Sequence, residues 1–178
     1  MWRNTPTGYG RLNKLLHWLV AIAVFGLFGL GLWMTSLSYY DEWYRKGPDL
    51  HRSIGVLLML VMVLRLALVH WMGKPKPLAS HSVLEVRMAQ LVHLLIYGLV
   101  FAIGISGYLI STADGRGIEV FNWFTVPSLG SFFEHQEDVA GEVHEWLAFA
   151  LVGLAVLHGL AAIKHHLLDK DDTLRRML

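Results

Sequence analysis

Four long apolar stretches, each able to cross a lipid bilayer, decide most of what this chain can fold into. Leu15 to Tyr40, Met88 to Ala113 and Trp146 to Ile163 carry no formal charge, and Ser53 to Gly73 carries only Arg65. A helix rises 1.5 Å per residue, so about 20 residues span a hydrocarbon core of roughly 30 Å. The sequence therefore predicts an all-α integral membrane protein, an antiparallel four-helix bundle with helices at about 12–36, 49–72, 83–112 and 139–168 of a single domain, 1–178. Arg3, Arg11 and Lys14 precede the first stretch as in a signal peptide, but the run is too long for one and has no small-residue cleavage site.

Composition narrows the chemistry. Hydrophobic residues make up 54% of the chain and charged ones 16%, against roughly 45–50% and 25% in soluble domains. A net charge of +1 argues against nucleic acid and leaves membrane lipid as the main surroundings. The absence of cysteine removes disulfides, iron–sulfur clusters, thiolate catalysis and covalent haem attachment. Among the 10 histidines lie the nitrogen ligands left for a metal or haem.

Loop charge sets the expected orientation. One side would carry both termini and the 74–87 connection, with Arg3, Arg11, Lys14, Lys74, Lys76, Arg87, Lys164, Lys170, Arg175 and Arg176. Opposite them stand Arg45, Lys46, Arg52 and Arg116 among many acids, so the positive-inside rule places both termini in the cytoplasm.

The fourth stretch is bounded by His144 and His158, fourteen residues apart. That interval is nearly four helical turns, about 21 Å along the axis, so both imidazoles leave from nearly one face at two depths. At the outer depth lies His51 on helix two; at the inner depth lies His17 on helix one. Sorted by depth as His51 with His144 and His17 with His158, imidazoles from facing helices could hold a six-coordinate haem iron at each depth, though a lone histidine in an apolar helix is more often a hydrogen-bonded core residue. Such iron has no open position for oxygen, which suits electron transfer. His93 shares the inner depth, and three histidines exceed the two axial positions of one haem. Gly26, Gly29 and Gly31 permit close packing against a helix or a flat macrocycle, and Gly55, one turn beyond His51, leaves room for a porphyrin edge. Arg65 is expected either to face the bundle interior or to snorkel outwards. The aromatic 114–138 loop either covers the outer site or forms an aromatic belt.

The chain resembles the bacterial cytochrome b561 family, which shares its haem core with the b-type cytochrome subunits of hydrogenases and formate dehydrogenases. The resemblance is carried by YGRLNKLLHW, the HRSIG at His51, Arg65, LVHLLIY around His93, the GRG at 115–117, VHEWLA, LHGLAA and the closing HHLLDKDDTLRRM. It implies two non-covalent b haems on His17, His51, His144 and His158, in a bacterial inner membrane, with ubiquinone or another quinone as electron partner. Some small members resemble superoxide:quinone oxidoreductases. On that basis Arg52 and Arg116 are candidates for the outer haem propionates, and Arg11 and Lys14 for the inner ones. His93 and Arg65 are candidates for a quinone site, with a supporting role beside the haem equally open for His93. The expected function is electron transfer between a periplasmic donor, superoxide or a protein, and the quinone pool. A second reading is a non-catalytic membrane anchor and electron conduit for a separate periplasmic or dehydrogenase-type partner, favoured by the acidic outer loops.

Overall fold

A computed structural model describes residues 1–178. It consists of α1 (Arg11–Thr35), α2 (Trp43–Met72), α3 (Val83–Ser111), β1 (Ile118–Val120), β2 (Phe124–Val126), α4 (Gln136–Leu167) and a terminal 3-10 turn, Arg175–Met177. All four α-helices are long and apolar enough to cross a membrane. Large side chains such as Ile22, Leu60, Leu94 and Leu157 point outwards from the bundle, a surface that suits acyl chains rather than water.

Only 15 of 178 residues are buried, so the bundle is not packed through its whole depth. Its tight layer is a plug of Val20, Met62, Val100 and Leu151, one residue from each helix. Leu151 is midway between His144 and His158 in the chain, so the plug lies between the two histidine depths. Around it, α1 pairs with α2 and α3 with α4, whereas α1 and α4 approach only loosely. The molecule is thus two helical hairpins with a cleft between them.

Helix ends follow local chemistry, with one correction to the sequence reading. Helix α3 begins at a capping box, in which Ser82 Oγ accepts from the Glu85 N–H and the Glu85 carboxylate accepts from the Ser82 N–H and hydroxyl. Ser82→Ala is expected to cost about 1 kcal/mol, read as a lower thermal midpoint in detergent. Helix α2 starts at Trp43, not near residue 49, and Pro48 lies inside it. Proline lacks the N–H that would reach back one turn. The exposed turn before it remains helical because Gly47 is buried against Met34 and Trp33 of α1. Helix α3 runs unbroken through Gly104, where the missing side chain makes room for Met59 of α2.

The long 112–135 connection contains an antiparallel β-hairpin that the helix-only reading lacked. Its turn closes with the Trp123 N–H donating to the Val120 carbonyl at 2.8 Å, and Phe121 and Asn122 both have positive φ, 48° and 57°. That is the turn handedness that matches strand twist. Ile118 and Val120 are buried against α2. Ser53, two residues after His51, donates to the Glu119 carbonyl and accepts from the Phe121 N–H, both at 3.3 Å. The hairpin is therefore pinned over the His51 end of the bundle.

At the opposite end, the tail after α4 crosses back over the other segments. Arg176 donates to the Lys76 carbonyl at 2.7 Å, Trp18 Nε1 to the Met177 carbonyl at 2.8 Å, and Lys14 Nζ to Leu178 O at 3.1 Å. His81 and Asp171 are paired at 2.9 Å. Burial opposes the charge on Asp171, but bonds from Thr173 and His81 outweigh it and hold the carboxyl down at about 2, so it is ionised at neutral pH.

Candidate functional site

The histidines singled out in the sequence meet in two pairs across the cleft. His51 of α2 faces His144 of α4 with ring centroids 6.2 Å apart, and His17 of α1 faces His158 of α4 at 6.4 Å. Imidazole nitrogens bind metals at roughly 2 Å. Two such bonds with two ring radii of about 1.1 Å separate the centroids by about 6.3 Å. Both pairs therefore stand at the spacing of imidazoles that share one ion. His93 lies only 5.2 Å from His158, too near for an ion between them. Depth alone could not choose between His17 and His93 as the partner of His158; ring spacing favours His17.

Glycines keep the space beside these rings open. A Cβ on Gly107 would stand 3.2 Å from His144 Cε1, and one on Gly31 would stand 3.5 Å from His51 Cε1. At Gly55, one turn beyond His51 and on the same side of α2, a Cβ would also meet nothing within 4 Å. Small residues against the ring edges leave room there for the edge of a flat macrocycle.

Hydrogen bonds orient the outer pair. His144 Nδ1 lies 3.1 Å from the Ile103 carbonyl, which can only accept, so Nδ1 carries the proton and Nε2 keeps its lone pair for a metal. Ser106 Oγ stands 3.0 Å from the same Nδ1 and helps fix the ring. His51 Nδ1 is buried with no partner, an exception of the kind that marks a site built for a further group. At the inner pair, Arg65 Nη2 donates to His17 Nδ1 at 3.2 Å, and its guanidinium lies 5.4 Å over the Tyr97 ring. Arg65 thus faces the interior. Held this way, a neutral His17 keeps its proton on Nε2, so ligation through Nε2 requires the Arg65 contact to open.

Three of the four candidate propionate partners already have other partners. Arg52 pairs with Asp49, and Arg116 pairs with Asp114 at 2.5 Å with its side chain 86% exposed. The bond from Arg116 holds the Asp114 carboxyl below the usual carboxylate range. Lys14 reaches Leu178, and Arg11 is exposed. Sequence reading missed Ser106 and Tyr97, whose positions opposite His144 and Arg65 depend on helix phase that no local pattern reveals.

A four-helix membrane bundle with facing imidazole pairs in its cleft has the architecture of a b-type membrane cytochrome. The profile of the prokaryotic cytochrome b561 family matches residues 8–178, and the chain belongs to that family. It is 54% identical to "Cytochrome b561 homolog 2" of Escherichia coli (strain K12), over 98% of this chain and 93% of that protein. It is 28% identical to "Probable superoxide oxidase CybB" of Yersinia pestis, over 96% and 95%. "Cytochrome b561 homolog 1" of Escherichia coli (strain K12) is 24% identical, over 96% of each chain. As a family member, the protein is a multi-pass inner-membrane electron-transport cytochrome that binds b-type haem.

Proposed function

We propose that the chain works as one transmembrane domain, 1–178, carrying two b haems. His51 and His144 ligate the outer one, and His17 and His158 the inner one. The observation that carries this is the pair of 6.2 and 6.4 Å imidazole spacings, both using α4 and both crossing the cleft. Bound there, the haems would supply one-electron redox chemistry.

The protein's own residues do the rest. Ile103 and Ser106 hold His144 in one tautomer, and the β-hairpin pinned by Ser53 screens the outer site from bulk water. Both termini lie in the cytoplasm, as the loop charges direct. Electrons enter from a periplasmic donor, and the name of the Yersinia pestis relative makes superoxide the first candidate. Two superoxide anions give up one electron each and leave as dioxygen; one quinone takes both electrons with two protons and leaves as quinol. His93 and Arg65 stand beside the inner pair, where an imidazole and a guanidinium can hydrogen-bond a quinone oxygen.

The test is purified protein mixed with superoxide and a ubiquinone analogue: rapid haem reduction followed by quinol is the expected result. Turnover only when a separate protein is added would support the conduit reading instead. One observation favours that alternative. Arg52 and Arg116 are each neutralised by a neighbouring acid, so the outer face offers little positive charge to attract an anion.

Gly107→Val offers a milder probe. Its branched side chain would press on the His144 ring, and the expected result is a shifted or weakened outer haem signal in the low-temperature spectrum with the inner signal unchanged.

A further inference from the structure

Away from the haem-binding cleft, three segments bring metal-ligating side chains together at the end that carries the termini. His81 comes from the α2–α3 loop, His165 from the last turn of α4 and Asp171 from the tail. Their ligand atoms all lie within 4.8 Å of one another. None of the three side chains is more than 17% exposed. One Asp171 oxygen stands 2.9 Å from His81 Nε2 and 3.3 Å from His165 Nδ1.

Hydrogen bonds serve His81 Nε2, beside Asp171 Oδ2 at 2.9 Å and Thr173 Oγ1 at 3.2 Å, and Asp171 Oδ1, which accepts from the Thr173 N–H at 2.8 Å, but they leave His165 unmatched. His165 Nδ1 is cut off from water and has no aligned hydrogen-bond partner, although it lies 2.7 Å from Asp169 Oδ2 as well as near Asp171. A single imidazole nitrogen has at most one proton to share, and two carboxylates converge on it. Lys164 offsets Asp169 through a 2.6 Å contact with the same oxygen, but Asp171 has no Lys or Arg partner. A divalent cation would serve both imidazoles and this carboxylate at once. Zinc-type ions bind His nitrogen and Asp oxygen at about 2.0–2.2 Å in a tetrahedron, which spaces the ligand atoms by about 3.3–3.5 Å. The 3.3 Å between His165 Nδ1 and Asp171 already has that value, whereas the 2.9 Å hydrogen-bonded contact of His81 Nε2 with Asp171 would open by about 0.4 Å to admit the ion.

The geometry points to a divalent transition-metal site of the zinc class formed by His81, His165 and Asp171, a fastener that ties the carboxy-terminal tail to the α2–α3 loop and the end of α4. Since that tail also contacts Lys14 and Trp18, next to His17, a bound ion would hold the strap closed over the inner end of the bundle. Imidazole nitrogen in the donor set favours zinc-type ions over magnesium or calcium, which take oxygen ligands.

The test uses tag-free, haem-loaded, full-length protein in detergent, dialysed against buffered free zinc and assayed for metal by mass spectrometry. Wild type is expected to hold one zinc per chain. Both Asp171→Asn and His81→Gln, which retain side-chain hydrogen-bonding capacity, are expected to weaken it about 10–100-fold or more with haem content unchanged. His166→Ala, beside the site but outside the ligand set, is expected to bind as wild type does. Zinc is also expected to slow tryptic cleavage after Lys170, Arg175 and Arg176 in wild type but not in His81→Gln. Zinc bound equally by wild type and His81→Gln, or lost equally in His166→Ala, would overturn the site. So would wild-type protein that takes up no zinc.

Discussion

Replacing His144 by Ala is expected to remove one of the two proposed haems and leave the other in place. His144 is the more tightly prepared of the α4 ligands, because its Nδ1 proton is already committed to the Ile103 carbonyl and Ser106 packs beside the same atom. Alanine leaves His51 with no facing imidazole. A single axial ligand gives a five-coordinate iron that is lost or turns high-spin, while His17 and His158, on the far side of the Val20, Met62, Val100 and Leu151 plug, keep their haem. Haem per polypeptide, with low-temperature spectra of both sites, checks this. Retention of both low-spin signals would sink the outer-site assignment.

The second large effect separates His17 from His93, two residues at one depth that invite confusion. His17→Ala is expected to abolish the inner low-spin signal. His93→Ala is expected to keep both haems and to slow quinone reduction about 10²-fold, the usual weight of a group that donates or accepts a proton in catalysis. The physical basis is the difference between 6.4 and 5.2 Å from the His158 ring. An iron fits within the first spacing; the second leaves His93 touching His158 from the side. Loss of the inner haem in His93→Ala with retention in His17→Ala would reverse the assignment. Unchanged quinone reduction in His93→Ala would remove His93 from the quinone site and leave the haem sites standing.

The architecture was legible because a lipid environment leaves strong marks: long uncharged runs, basic loops and a histidine interval commensurate with helix pitch. All four helices lie where hydropathy put them, with α2 extended back through Pro48 to Trp43, where Gly47 packs against Met34 and Trp33 of α1. The hairpin was harder, since its strands are three residues each and sit in an aromatic loop; the alternation in IEV and FTV around Phe-Asn was the available cue. The facing of His51 with His144 could be inferred from depth. The Ile103 carbonyl could not, because that contact depends on the rotation of α3 against α4. The same limit hid the cluster of His81, His165 and Asp171, which folding gathers from three distant segments.

Everything functional turns on each imidazole pair clamping its own iron. The direct measurement is the ratio of haem to polypeptide in the purified wild-type chain, taken with its electron paramagnetic resonance spectrum. Two haems per chain, both low-spin with bis-imidazole signatures, is the expected result. One haem per chain, or a stoichiometric high-spin species, would contradict it.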